Sequence, residues 1–227
     1  METPTPTTAL PSDALLLRLA PPAPVPDRPD LRACQAPDVF GLWQAWENET
    51  GARQDIPYWA VVWPAARLTA SWLGRHPEWA AGGTVLDFGC GGGVAGLAAA
   101  KAGASRIIAN DTDPAALAMA ARNAALNGVA VETEPSNLLL LPPSPAWDLI
   151  LVADLFYEKS VAGSMLAWLR EALRRGSRVL IADATRPFAP RTGVRTLEER
   201  TYRTDVDLEG SSERNVRLLE LLAEREE

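Results

Sequence analysis

Cysteine and histidine are nearly missing from this sequence, whose 227 residues hold only Cys34, Cys90 and His76 of those two types. Two distant cysteines support neither a disulfide framework nor a four-ligand zinc site, and no metal is expected. A single histidine argues against a His-based catalytic triad. Positive charge is also short, with 22 Lys and Arg against 29 Asp and Glu and a formal net charge of -7. A nucleic-acid backbone as main partner requires clustered positive charge, so the acidic balance fits a basic protein patch or a basic small molecule better. Long apolar runs are lacking, and the N-terminus shows no basic region followed by an apolar block and a cleavage site. The expected address is therefore the cytoplasm, with no membrane contact.

What is present is an ordinary globular composition, 47% apolar and 22% charged, in a chain of a length suited to one α/β unit with decorations. Residues 1–36 are rich in Pro and Thr around one short apolar run, Ala14 to Leu19, and read as a mostly extended arm. Residues 37–82 carry two amphipathic patterns. In the first, from Pro37 to Thr50, Phe40, Leu42, Trp43 and Trp46 recur at helical spacing and Gly51 supplies a stop. The second opens at Pro64 and repeats through Leu68, Trp72 and Leu73.

From Gly83 to the end, residues 83–227, short β-rich runs alternate with helical ones. Strands are expected at Thr84 to Phe88, Arg106 to Asn110, Val129 to Glu132, Trp147 to Ala153 and Ser177 to Ala182, separated by helices at Val94 to Ala102, Pro114 to Asn127 and Val161 to Arg175. Such alternation is the pattern of a parallel sheet covered on both faces. Two further β-like stretches, Arg200 to Asp205 and Asn215 to Leu221, flank the turn-rich 209–212 and suggest an edge hairpin, although the last stretch reads equally as helix. The fold class is α/β: a Rossmann-like, doubly wound, mostly parallel seven-stranded sheet with a C-terminal antiparallel hairpin.

The strongest signal is VLDFGCGGGVAG, where a strand runs into Gly89, Gly91, Gly92, Gly93 and Gly96. Such a loop lets a ligand approach backbone, and the helix behind it offers unpaired N–H groups. GGGVAG also matches the dinucleotide fingerprint, so a nicotinamide or flavin enzyme stays open on that motif alone. Asp87 tilts the balance toward S-adenosylmethionine. A carboxylate there repels a pyrophosphate and can pair with the ammonium of an aminoacyl ligand. Asp111, closing the next strand beside Thr112, is placed to accept ribose hydroxyls, which suits both ligand classes.

These residues resemble the class I, or seven-β-strand, methyltransferases, whose first motif Asp-x-Gly-x-Gly-x-Gly corresponds to Asp87, Gly89, Gly91 and Gly93. The resemblance implies a glycine loop under the methionine part of S-adenosylmethionine, Asp111 on the ribose, and a terminal antiparallel hairpin. PYWAVVWPAARL and DLFYE further resemble motifs of the lysine methyltransferases related to the one acting on the electron transfer flavoprotein β subunit. There the tryptophan-rich segment covers the cofactor and Asp-x-Phe-Tyr lines the acceptor site. The implied residues here are Trp63 on the cofactor, Trp59 and Phe156 on the substrate, and Asp154 and Tyr157 in catalysis. A glycine pair usual after Trp-Pro in that group is Ala65-Ala66 here. Asn137 falls where related enzymes contact adenine, and turn chemistry explains it equally well. Asn123 and Asn127 read as helix caps and packing residues, and Cys90 as a small residue that the loop requires.

The resemblance implies methylation of a protein lysine, with the electron transfer flavoprotein β subunit as candidate acceptor. A small-molecule N- or O-methyltransferase and a non-catalytic cofactor-binding module are the alternatives. Lysine, with a reference pKa of ~10.4, must lose a proton before attack. Burial among aromatic rings promotes that loss and the carboxylate of Asp154 opposes it, so Asp154 reads as a positioning group rather than a strong base.

Overall fold

The computed structural model describes residues 10–223. Helix α1 (Asp13–Leu19) starts at Ser12, whose hydroxyl accepts from the Leu15 N–H. A short antiparallel pair follows, β1 (Pro22–Val25) and β2 (Arg28–Cys34). This corrects the expectation of an extended arm: within 1–36 the described part folds back as helix and hairpin, while residues 1–9 lie outside the described residues. The prolines misled because a missing N–H reads as polyproline, yet it costs nothing in a two-stranded edge. The outer edge of β2 is satisfied by the side chains of Asn123 and Asn127.

Helix α2 (Val39–Thr50) is capped by Asp38, which accepts from the Gly41 N–H at 2.8 Å, and ends on Gly51 in the left-handed conformation. Helix α3 (Pro64–Arg75) begins at its proline. Then come β3 (Thr84–Phe88), α4 (Val94–Lys101), β4 (Arg106–Asn110), α5 (Pro114–Leu126), β5 (Glu132–Glu134), β6 (Leu149–Ala153), α6 (Lys159–Arg174) and β7 (Arg178–Asp183). The third strand of the sheet lies later than expected because Val129 donates to the Ala124 carbonyl at 3.1 Å and belongs to the turn closing α5. The tail forms β8 (Val194–Arg203), the single turn α7 (Val206–Glu209) and β9 (Glu213–Leu221). The last stretch is therefore strand.

The seven-stranded sheet runs β5-β4-β3-β6-β7-β9-β8, with β5, β4, β3, β6 and β7 parallel and β9 antiparallel to both neighbours. Strand alternation divides the core. Val85, Leu149, Leu151 and Leu180 pack with Leu68 and Ala98 of α3 and α4; Leu86, Ile150, Val152 and Ile181 pack with Met165 and Leu169 of α6. A third cluster joins Leu15, Leu16, Leu42 and Trp46 to Ala115 and Met119, which fixes the N-terminal elements on α5. Among the described residues no helix is long and apolar enough to cross a membrane.

The chain leaves β3 toward β4 on one side and returns to β6 on the other, so strand order reverses between β3 and β6. In open α/β sheets that reversal opens a crevice beyond the carboxyl ends of the strands. The glycine loop after β3 and the DLFYE loop after β6 both stand there.

Candidate functional site

Asp87 is the penultimate residue of β3 and only 2% exposed. Its Oδ2 accepts the Gly96 N–H at 2.8 Å, in the first turn of α4. A Cβ on Gly96 would stand 3.0 Å from that oxygen, so the glycine permits the contact. Burial pushes the Asp87 carboxyl up to about 7, with the Gly96 N–H opposing and the charge of Asp111 reinforcing the rise.

Gly89, Gly91 and Gly93 all have positive φ, and the loop is tied on several sides. Cys90 N–H donates to the Asn110 carbonyl at 2.8 Å and Gly91 N–H to Asp111 Oδ2 at 2.9 Å. Asp111 Oδ1 accepts the Asp113 N–H at 3.0 Å. The Asp111 carboxylate is therefore held at the end of β4, half-buried, with lone pairs left to accept hydroxyls. The Cys90 thiol is pushed well up by burial and by the negative charges of Asp87 and Asp111, which makes it inert. Thr112 is exposed in the turn before α5.

Above the loop lies the tryptophan-rich segment, though not in the manner expected. The Trp59 ring is 3% exposed and packs edge-on to Trp46 with centroids 5.8 Å apart. It is a core side chain, which corrects its assignment to substrate. What reaches the glycine loop is its backbone: a Cβ on Gly92 would stand 2.6 Å from the Trp59 carbonyl oxygen. Trp63 is half-buried, donates its indole N–H to the Tyr58 carbonyl at 3.0 Å, and contacts the exposed Tyr58 ring at 5.8 Å. Asn137 is exposed and accepts the Leu139 N–H at 3.1 Å, the turn chemistry weighed beside adenine contact.

The DLFYE loop separates its residues sharply. Phe156 is fully buried with Phe88, Ile150 and Met165, so it is also core and not a surface for substrate. Tyr157 next to it is 61% exposed. Loss of water around its hydroxyl, with the negative charge of Glu158, holds the phenol above its usual range, leaving a neutral donor. Leu155 packs on Gly89, where a Cβ would meet its side chain at 2.5 Å, and so joins this loop to the glycine loop. Asp154, at φ 61°, is ion-paired: Arg186 binds both of its oxygens, at 2.8 and 2.5 Å.

Two residue types were undervalued by sequence reasoning. Arg186 follows β7 at the same sheet edge, in the segment that leads to β8. Asn123 is fully buried on α5; its Oδ1 accepts the Cys34 N–H at 2.8 Å and its Nδ2 donates to the Gly92 carbonyl at 2.9 Å. Asn127 similarly accepts from the Arg32 N–H at 2.9 Å and donates to the Arg32 carbonyl at 2.6 Å. These two asparagines complete the edge of β2 and anchor the glycine loop. Asn123→Ala orphans a buried donor and an acceptor, and is expected to cost about 2–5 kcal/mol in urea denaturation, with cofactor-loop order lost before global unfolding. An unchanged midpoint would contradict this bridging role.

The chain is similar to known methyltransferases. The family model described as ribosomal protein L11 methyltransferase (PrmA) matches residues 64–154, which run from α3 through the glycine loop to Asp154. The solved 1,6-didemethyltoxoflavin-N1-methyltransferase of Burkholderia thailandensis, with bound 1,6-didemethyltoxoflavin and S-adenosylhomocysteine, superposes with a TM-score of 0.51 at 17% identity, over 71% of this chain and 79% of that one. The two share a Rossmann-like, mostly parallel α/β sheet. Among curated relatives, the electron transfer flavoprotein beta subunit lysine methyltransferase of Danio rerio is 39% identical over 131 residues, 57% of this chain and 51% of the relative. The ribosomal protein L11 methyltransferase of Aeromonas hydrophila is 40% identical over 102 residues, 45% of this chain and 32% of the relative. The chain spans about half the length of the first of these relatives.

Proposed function

We propose that this chain is an S-adenosylmethionine-dependent methyltransferase acting on a lysine side chain of a protein, with the electron transfer flavoprotein β subunit as leading acceptor. The observation that carries the cofactor assignment is the buried Asp87 beneath the glycine loop. Its negative charge repels a pyrophosphate and becomes favourable only when a cation arrives, as the ammonium of an aminoacyl ligand does. The residues fit S-adenosylmethionine: Asp87 and Gly89 to Gly93 would hold the aminoacyl end, Asp111 and Thr112 the ribose, Asn137 the adenine edge, and Trp63 would close over it. Bound there, it supplies a methyl group on a positively charged sulfur.

The protein-lysine assignment is supported by the match to the lysine methyltransferase named above, which runs longer than the match to the L11 enzyme. The net charge of -7 favours a basic partner surface. Tyr157, exposed and neutral, is suited to hydrogen-bond an incoming amine, and Asp154 to orient it. Residues 37–82 act in this reading as the cover of the cofactor crevice, and the cytoplasm is the proposed address. Catalysis then rests largely on alignment of donor and acceptor in a site that excludes water.

The test is incubation with methyl-labelled S-adenosylmethionine and a size-fractionated cell extract. Label is expected on a protein band; label confined to metabolites would replace this reading by a small-molecule methyltransferase, and no label despite cofactor binding by a non-catalytic module. Asp154→Ala is expected to lower turnover by at least about 100-fold while S-adenosylhomocysteine affinity stays within about threefold of wild type. Unchanged turnover would remove Asp154 from the acceptor site.

A further inference from the structure

Asp154 stands at the end of β6 in a left-handed backbone conformation that few non-glycine residues adopt. Arg186 grips it from the loop after β7, Nε to Oδ1 at 2.8 Å and Nη2 to Oδ2 at 2.5 Å. The Arg186 backbone N–H donates to Asp183 Oδ1 at 2.7 Å, which fixes the turn that aims the guanidinium. Its Nη2 also lies 3.1 Å from Glu209 Oε2 on α7. The side chains of Arg186, Asp154 and Glu209 are 18%, 7% and 3% exposed, so these charges act on one another with little water between them. Asp183 of β7, Arg214 and Arg217 of β9, Tyr157 and Glu158 of the DLFYE loop and Asp111 just after β4 are the further charged and titratable groups around it.

We propose that Arg186 is a positioning residue of the acceptor site, which fixes Asp154 and cancels its charge so that a bound lysine side chain can lose its proton and attack as a neutral amine. This rests on the lysine methyltransferase reading. A bare carboxylate beside an ammonium favours the charged form, which cannot attack. Paired with a guanidinium, the carboxylate presents the weaker field of a dipole. Oδ1 accepts Arg186 Nε and, at 3.4 Å, the Ala184 N–H, whereas Oδ2 accepts only Arg186 Nη2 and keeps a lone pair. The amine is thus oriented by a hydrogen bond without being locked as ammonium. Its proton passes to water, its lone pair forms the N–C bond, and the C–S bond breaks with its electrons remaining on sulfur, which becomes a neutral thioether.

The same arginine gives the site a second coupling. Glu209 lines a groove of about 120 Å³ with Trp63, Pro64, Thr204, Asp205 and Leu208. Through Arg186 the hairpin tip that forms one wall of this groove is tied to the loop that carries Asp154.

The experiment is the pH profile of methyl transfer to purified electron transfer flavoprotein β subunit by wild type, Arg186→Gln and Arg186→Lys, between about pH 6.5 and 10. Removing the guanidinium leaves the negative charge on Asp154 uncompensated, so the bound ammonium holds its proton to higher pH. Arg186→Gln is expected to move the rising limb upward by about one pH unit, a tenfold loss at pH 7.5 that recovers at alkaline pH. Arg186→Lys, which keeps the charge but not the bidentate fork, is expected to lower the rate at every pH without moving the limb. S-adenosylhomocysteine affinity is expected to be unchanged in both. A Gln profile that is lower throughout but unshifted would overturn the proposal and leave Arg186 a merely structural residue. Should wild type transfer no methyl group, the β subunit fails as acceptor by itself, and the extract labelling decides the lysine reading. The charge claim is then judged by calorimetry with n-butylammonium: tighter binding by Arg186→Gln, lost again in Asp154→Asn/Arg186→Gln, supports it, and equal affinity of wild type and Arg186→Gln overturns it.

Discussion

Replacing Asp87 by Asn is expected to make the protein more stable at pH 8 and to weaken S-adenosylhomocysteine binding by at least about 100-fold. The two effects have one origin. In the folded chain burial raises this carboxyl to about 7, whereas an unfolded aspartate titrates near ~3.9. Between those values the folded state holds a proton that the unfolded state has released, so stability falls as pH rises from about 4 to about 7 and is level above that. Three units correspond to a loss on the order of 4 kcal/mol, fully developed at pH 8. Asn retains an oxygen for the Gly96 N–H and has no charge to bury. Urea denaturation at pH 5 and pH 8 should therefore show a smaller decline in the variant than in wild type. Part of the decline persists, because burial also raises the Asp183 carboxyl, to about 6. Parallel behaviour of the two proteins would mean that Asp87 titrates normally. The ligand side has its own pH dependence: a cationic aminoacyl end draws the proton off Asp87, so affinity should rise toward pH 7 and level beyond it.

Gly93→Ala is expected to cost about 2–4 kcal/mol and to lower cofactor affinity with it. Gly93 caps α4 at φ 76°, where a side chain is strained, and a Cβ would meet the Ala120 Cβ at 2.9 Å and its Cα at 3.2 Å. Overpacking of that kind typically costs 1–3 kcal/mol, to which the left-handed backbone adds about 1. Helix α4 cannot retreat, since Val94, Ala95 and Ala98 are buried against the sheet. The control is Gly163→Ala in α6, where the added Cβ meets nothing within 4 Å, φ is ordinary and the helix interior gains propensity. That change should stabilise by about 0.5–1 kcal/mol. Midpoints of chemical denaturation that move together in both variants would show that the glycine loop carries no special constraint.

The doubly wound sheet was legible because its signals are local. Thr84–Phe88 and Arg106–Asn110 are apolar runs stopped by a glycine and an aspartate, and both strands have the bounds read from the sequence. The hairpin β1–β2 was not legible, since its pairing is completed by Asn123 and Asn127 from about ninety residues away. No pattern within the PAPVPDRPD segment announces that help. In the site, the spacing of Asp87, Gly89, Gly91 and Gly93 located the loop, because backbone demands glycine at particular steps. Burial of individual aromatics was beyond reach: Phe156 and Tyr157 are neighbours in one motif, and the turn after Asp154 sends one into the core and the other outward. Trp59 likewise belongs to the contact with Trp46, made between segments that periodicity treats separately. Arg186 escaped because an ion pair spanning 32 residues leaves no spacing to recognise.

The most direct measurement is complete hydrolysis of the protein fraction after transfer from methyl-labelled S-adenosylmethionine, followed by separation of the amino acids. The account predicts that the label travels with Nε-methylated lysine and disappears when Asp87→Asn replaces wild type. Label released as a base-labile methyl ester, carried by another amino acid, or found only outside the protein fraction would contradict it.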